Sequence, residues 1–458
     1  MRPPSASQTS ARLADPGPAQ RRRWLALALA SLGFFSACGG SKAPDPVISR
    51  FEVVPSIIEV GEPATLKVAY ADGQGRVEPQ VGTVMSGLDV PLEGVSSTTY
   101  TLTVTSSNSG VVRVAQAALT VKPGLLVKVE GLPPGLDAAV TVTGPGGFTQ
   151  ALTRSQALKG LQPGHYIIYA ATVPEGTVSR YPLRLSQEVD LTTTGALVKV
   201  SYPAPTLTFN LPEGVPLDFV LIPPGSFMMG PIVPEQTADW PGAAPSALPR
   251  HEVTFAKAFY LAKDPVTTRQ WKAILGWTTP DYATKDPDVA VWNRDWFEWQ
   301  QEFLPALKAL VPGKAFRLPS ESEWEYALRA GSTTKYFWGD DFAQVDTYCW
   351  TYNTTAAVGN LWPKVGLKRP NAWGLHDMFS VGQWTEDDYH PDYAGAPSDG
   401  SPWIDSLRPV WRTWRGAGWA SYAPEVYPKY EFNSAYRSGL GSHPATAIGL
   451  RLALSIPE

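Results

Sequence analysis

The sequence predicts a multidomain protein: two N-terminal β-sandwich modules followed by an α+β domain with much irregular structure. Tryptophan usage marks the main division, because one of the 17 residues precedes Cys38, none lies between Cys38 and Thr206, and 16 follow. Up to Tyr202 the chain alternates apolar and polar residues in short runs broken by Gly and Pro, the pattern of half-buried strands. Beyond Thr206, capping signals specify helices separated by aromatic-rich segments dense in Gly and Pro.

The first element is a leader. Arg21-Arg22-Arg23 precedes an apolar run from Trp24 to Phe35. About twelve apolar residues fall short of the roughly twenty that span a bilayer as a helix, and a basic flank before a short apolar run is the pattern of an export signal. Residues 1–37 are therefore expected to be removed as a signal peptide. Phe35-Ser36-Ala37-Cys38 resembles the bacterial lipobox, which implies that the Cys38 thiol is acylated and becomes the mature N-terminus, with residues 38–45 as a lipidated linker. An ordinary signal-peptidase site, with Cys38 a bystander, is the other reading of the same residues. Gly39 stands where an Asp would imply inner-membrane retention, so the resemblance implies an exported protein anchored in the outer membrane, with the membrane as a partner through the lipid.

At 458 residues and 43% hydrophobic content the chain can bury cores for two to four domains. A net charge of −4, with no Lys/Arg cluster beyond the leader, argues against a nucleic-acid partner, because phosphate neutralisation needs clustered cations. Only Cys38 and Cys349 are present. With Cys38 acylated, Cys349 has no intramolecular partner, so the fold is not expected to rest on disulfides.

Residues 46–122 form the first module. Ile48-Ser49-Arg50-Phe51-Glu52-Val53 and Thr99-Tyr100-Thr101-Leu102-Thr103-Val104 alternate, and Gly61-Glu62-Pro63, Asp72-Gly73 and Gly94 supply turns. The runs Gly61-Glu62-Pro63-Ala64-Thr65-Leu66 and Thr98 to Val104 resemble Ig-like modules of bacterial surface lipoproteins. Residues 124–203 form the second, with strands expected at Leu125–Val129, Ala139–Val142, Tyr166–Ala171 and Leu197–Val200. Leu161-Gln162-Pro163-Gly164-His165-Tyr166 is similar to a turn and strand of transthyretin-like and carboxypeptidase-regulatory-like sandwiches. Nothing catalytic converges in either module, so both read as spacers that lift the distal domain from the membrane.

Residues 206–458 form the third unit. Thr267 with Gln270 makes a capping box over Arg269–Leu275, with Gly276 as the stop, and Ser320 with Glu323 caps Glu321–Ala330 before Gly331. A third helix is expected over Trp296–Leu310, with Trp296, Phe303, Leu307 and Leu310 on one stripe.

Nine segments of this unit stand in one order: Pro223 to Gly230, His251-Glu252-Val253, Pro265-Val266-Thr267 with Gln270-Trp271, Phe316 to Ala327, Phe337-Trp338-Gly339, Pro370 to Met378, Trp384 to Asp387, Trp414 to Trp419 and Ile448 to Ala453. They resemble the formylglycine-generating enzyme family, also called the sulfatase-modifying factor family, over essentially all of Thr206 to Leu454. The resemblance implies a fold related to C-type lectins. Physically the segments read first as scaffold, with Gly for positive φ, Trp and Leu for packing, and Arg317 and Arg451 for charge-assisted bonds.

The family's oxidase holds copper between two thiolates near the C-terminus, since soft Cu(I) needs soft ligands. The resemblance puts those positions at Ser421 and Val426, and Gly418 replaces a family serine. A hydroxyl and a hydrocarbon cannot build a bis-thiolate site, so no copper, no metal and no confident catalytic residue are expected, Ser421 standing only at the first cysteine position. The family's calcium segment is matched by Ser380-Val381-Gly382-Gln383-Trp384, without its carboxylate, and there is no Asp or Glu between Asn353 and Val365. Asp387-Asp388 and Asp340-Asp341 read as solvated loop faces. His251 and His376 sit in scaffold motifs, His390 and His443 are isolated, and Ser421 with His443 as a base has no geometry to support it.

What remains where the family holds its partner is aromatic and basic: Trp411, Arg412, Trp414, Trp419, Tyr422, Tyr427, Tyr430 and Tyr436 among them. Arg415, Trp419, Ser421, Tyr422, Trp384, Tyr436 and Arg437 are the expected ligand groove, suited to a protein, peptide or glycan. Two functions follow as expectations. One is recognition by a lipid-anchored, non-oxidase domain; the alternative is a periplasmic maturation enzyme with altered, non-copper chemistry.

Overall fold

The computed structural model describes residues 44–107, 109–233, 236–238, 244–276, 286–351, 354–355, 364–407, 411–417, 429–441 and 448–457. The leader and Cys38 lie outside the described residues. Among these, no helix is long and apolar enough to cross a membrane. The chain is mostly β and multidomain.

In the first unit a three-stranded sheet (Val47–Val54, Ala64–Ala71, Asp89–Leu92) faces a five-stranded one built around Thr98–Thr105 and Val112–Val121. The alternation seen in the sequence is the cause: Tyr100, Leu102 and Val104 point inward and join Leu66 and Val68 in one buried cluster, while the intervening Thr residues face outward. The second unit pairs a four-stranded sheet with a three-stranded one in which Gly124–Glu130 lies parallel to Gly195–Ser201. Leu125, Val127, Tyr166 and Val200 fill its core. The expected strands at 125–129, 139–142, 166–171 and 197–200 form at Gly124–Glu130, Val140–Gly144, Gly164–Ala170 and Gly195–Ser201.

The units abut. Leu126 and Ala157 of the second pack on the core of the first, and Lys159 pairs with Glu62 at 2.7 Å. At the other end Tyr181 and Leu183 pack against the core of the third unit, the Ala258 amide donates to the Leu183 carbonyl at 2.8 Å, and the Tyr260 hydroxyl donates to the Ala204 carbonyl at 2.7 Å.

The third unit is organised by a five-stranded antiparallel sheet ordered Thr206–Asn210, Pro216–Ile222, Phe259–Ala262, Ala453–Ser455, Ala315–Arg317. The first strand of the unit thus lies at the edge of the sheet, while the C-terminal strand lies inside it, between Phe259–Ala262 and Ala315–Arg317. A separate four-stranded sheet, ordered Arg437–Gly441, Trp411–Arg415, Gly382–Asp388, Ile448–Gly449, carries the site. Both capping boxes form: Thr267 and Gln270 open Thr268–Leu275, which stops at Gly276 with φ 76°, and Ser320 and Glu323 open Glu321–Arg329. The second helix ends one residue earlier than expected, Ala330 itself taking the left-handed conformation. The third helix departs from expectation. It is Trp296–Glu298 and Leu304–Leu310 with a π-helical segment Trp299–Phe303 between them, so the inward stripe runs through Trp296, Trp299, Phe303, Leu304 and Leu307. Leu310 is 43% exposed. The wider π turn rotates the later residues, which a fixed helical period cannot foresee.

Candidate functional site

The site is built on the helix Glu321–Arg329, all nine of whose residues are buried. Its start is held three ways: Ser320 accepts from the Glu323 amide at 3.0 Å, Glu323 accepts from the Ser320 amide at 2.8 Å, and Arg317 grips both Glu323 oxygens at 2.6 and 2.7 Å. A helix that buries Glu321, Glu325 and Arg329 needs partners for those charges, because an uncompensated buried ion costs several kcal/mol.

The partners come from the adjoining strands. Arg415 and Arg437 are directly opposite in antiparallel register. Arg437 clamps Glu321 through Nε to Oε1 at 2.6 Å and Nη2 to Oε2 at 2.8 Å, while Arg415 donates through Nη2 to Glu325 Oε2 at 2.5 Å. Arg329 Nε donates to the other Glu325 oxygen at 2.8 Å, and the Gly230 amide reaches the same oxygen at 3.1 Å. The Tyr393 hydroxyl donates to Glu321 at 2.8 Å beneath the Arg437 guanidinium, which lies 4.5 Å from its ring. Gly416 permits the turn immediately after Arg415: its φ is 86°, and a Cβ there would meet the Met378 carbonyl oxygen at 2.8 Å.

Asp387 and Asp388 correct an expectation. Both are buried rather than solvated. Asp388 accepts from Arg412 at 2.6 Å and from the Asp405 amide at 2.9 Å. Asp387 accepts from the Glu321 amide at 2.7 Å and the Trp403 amide at 2.8 Å, placing a carboxyl at the helix N-terminus. Beside the Arg317–Glu323 pair, the site therefore gathers Glu321, Glu325, Asp387 and Asp388 with Arg329, Arg412, Arg415 and Arg437. Burial, with Glu321 beside it, pushes the Asp387 carboxyl well above its usual range. Burial would raise Glu325 too, but Arg329 and Arg415 outweigh it and hold that carboxyl below its ordinary value. Burial and Glu321 together push the Tyr393 hydroxyl up.

Three of the expected groove residues lie in the interior. Trp384 and Arg415 are 0% exposed and Arg437 is 3% exposed, so these three are bedding of the site and do not line an open groove. Trp384 instead donates to the Arg294 carbonyl at 3.0 Å. The cause is the helix Glu321–Arg329, whose carboxylates draw both arginines inward. Tyr436 is half-buried, edge-on to Trp414, and Trp411 is exposed. Trp419, Ser421, Tyr422, Val426 and His443 lie outside the described residues.

The metals implied by the resemblance do not fit the residues present. Cys349 is fully buried, and burial followed by the nearby Asp377 raises its thiol well above the usual value. A hydroxyl at Ser421 and a hydrocarbon at Val426 give Cu(I) no thiolate. Gln383, in the calcium-segment match, is saturated: Oε1 accepts from Trp324 at 2.8 Å and Arg451 at 3.0 Å, and its amide faces the carbonyls of Asp377 and Met378. Among the described residues no group of three His, Cys, Asp or Glu could hold a metal ion. Asp340 and Asp341 are exposed and serve local turns, accepting from the amides of Lys335 and Ala343. His376 and His390 bond backbone carbonyls through Nδ1, and His251 packs edge-on to Tyr393.

Sequence reasoning missed Glu321, Glu325, Tyr393 and Asp387 as a unit. One signal was legible: Glu321, Glu325 and Arg329 recur every four residues in a helix whose other residues include Trp324, Ala327 and Leu328, so the charged face had to meet protein.

Comparison with known proteins places the third unit in a family. A family model described as Sulfatase-modifying factor enzyme 1-like domain matches residues 208–456. A formylglycine-generating enzyme of Mycobacterium tuberculosis strain H37Rv is 30% identical over 173 residues, which cover 35% of this chain and 57% of that enzyme. Among solved structures, PvdO from Pseudomonas aeruginosa is 28% identical at a TM-score of 0.47, over 55% of this chain and 99% of that one. Treponema denticola variable protein 1 is 19% identical at a TM-score of 0.45, again over 55% of this chain and 99% of that one.

Proposed function

The chain belongs, through residues 208–456, to the sulfatase-modifying factor enzyme 1-like family, and from that membership we propose that it is a lipid-anchored cell-envelope protein whose family domain recognises a protein or glycan and lacks copper-dependent oxidase activity. One observation carries this reading: the Glu321, Glu325, Arg415 and Arg437 side chains form a buried ionic bed, while Ser421 and Val426 occupy the positions where the resemblance requires thiolates. An ordered scaffold with no thiolate at those positions supports binding over redox chemistry. The export signal and Cys38 support anchorage in the envelope, and the first β-rich unit serves as a spacer between lipid and recognition domain.

The test uses the mature chain. It is incubated with Cu(I) and, in parallel, with a peptide carrying a sulfatase-type cysteine motif under oxygen. The expected result is no stoichiometric copper and no oxygen uptake coupled to cysteine conversion. Either signal would overturn the reading in favour of an enzyme.

A further inference from the structure

A cleft of about 680 Å³ opens at the junction of the second and third units. Its size falls within the ordinary range of small-ligand sites, roughly 300–1,000 Å³. One wall comes from the hairpin Val173–Glu175/Val178–Arg180 and the residues around it, through Thr177, Ser179 and Tyr181; the other comes from Asp218, Lys263 and Trp373. The walls are fixed relative to one another by the Ala258 to Leu183 and Tyr260 to Ala204 hydrogen bonds and by Tyr181 and Leu183 packing on the third unit's core. A rigid junction makes a composite site possible, because little ordering entropy is left to lose on binding.

The chemistry of the walls is specific. Trp373 is half-buried and held edge-on by Tyr326 at 4.9 Å and 69°, which leaves part of its ring to the cleft. Among the described residues, the Trp373 indole N–H, the Tyr181 and Thr177 hydroxyls, the Ser179 hydroxyl and the Lys263 ammonium make no hydrogen bond or ion pair. Asp218 accepts from Thr208 through Oδ1 at 2.6 Å and has Oδ2 remaining as an acceptor. The cleft thus offers donors, acceptors and two amphipathic aromatic side chains together. A sugar ring asks for that combination: each hydroxyl both donates and accepts, and the C–H face of the ring packs on an aromatic surface.

We infer that this junction cleft is a carbohydrate-binding site shared by the second and third units, with Trp373 as the stacking platform and Thr177, Ser179, Asp218 and Lys263 as hydroxyl partners. The inference rests on the recognition reading above and assigns that recognition to a place away from the Arg415–Glu325 bed. It also gives the second unit a role beyond that of a spacer.

The experiment presents the mature full chain to immobilised neutral and acidic oligosaccharides and to a peptide array, then titrates the strongest oligosaccharide by calorimetry. Binding to at least one oligosaccharide is expected, weakened tenfold or more in Trp373→Ala and in Thr177→Ala/Ser179→Ala. The second variant changes two hydroxyls outside any core, so its fold is preserved even if Trp373→Ala proves unstable; Trp373→Phe, which keeps a ring, should lose less affinity than Trp373→Ala. Oligosaccharide binding indifferent to the Thr177/Ser179 pair and to Trp373→Phe would overturn the location. Peptide binding without oligosaccharide binding would overturn the ligand class while keeping recognition. A blank on both arrays would overturn the recognition reading itself.

Discussion

Arg415 Nη2 lies 2.5 Å from Glu325 Oε2, and neither side chain has any exposure to solvent. This is the contact through which the strand Trp411–Arg415 is bound to the helix Glu321–Arg329. Neutralising Glu325 leaves Arg329 with backbone carbonyls alone and Arg415 with Glu321 at 3.3 Å as its remaining carboxylate, all buried from solvent. Glu325→Gln is expected to destabilise the third unit by about 3–5 kcal/mol, the range for breaking a buried pair. Intrinsic tryptophan fluorescence during urea unfolding checks this, because in the mature chain all 16 tryptophans lie beyond Thr206, so the signal reports the third unit alone.

The pH dependence follows from the same residues. Glu325 has a folded-state pKa below its ordinary 4.5, so its stabilisation is complete above that value and is lost as pH falls through the folded one. Asp387 is opposite in sign: raised above 3.8, it binds its proton more tightly when folded, and its contribution declines as pH rises from 3.8 through the raised value. Unfolding midpoints from pH 3 to 8 should show an acid limb that flattens in Glu325→Gln. A limb unchanged in that variant would show that other carboxyls govern acid unfolding.

Gln383 is the single acceptor for Trp324 Nε1 and Arg451 Nε. Replacing it with Leu keeps volume but orphans both donors, and each buried orphan costs about 1–3 kcal/mol. Gln383→Leu should therefore be far more damaging than Gln383→Glu, which keeps an acceptor; paired urea titrations give the comparison.

Cys349 is fully buried, with its thiol pushed up by burial. In a Cys38→Ala protein, a thiol reagent should label nothing in the native state and one thiol after unfolding in guanidinium. Rapid native labelling would place Cys349 at a surface and reopen its use as a ligand.

The lipid anchor is tested in cells. Labelling with palmitate is expected to depend on Cys38 and to vanish in Cys38→Ala, with the protein shifting out of the membrane fraction. Undiminished incorporation in that variant would remove the anchor from the account of this protein.

Reading along the chain was enough for the strand alternation of the first two units, both capping boxes and the family segments. These depend on local spacing: period-two alternation, a hydroxyl three residues before a Gln or Glu, a Gly after the last turn. Tertiary structure alone decided the fate of the charges. Asp387-Asp388 read as a solvated pair and Arg415 and Arg437 as groove residues because nothing in their neighbourhoods reveals Glu321 and Glu325, 66 to 116 positions away. The π turn after Glu298 and the cleft between Tyr181 and Trp373 were equally closed to reading along the chain. Burial and long-range pairing assign a charged side chain to scaffold or to surface, and those are properties of the folded chain.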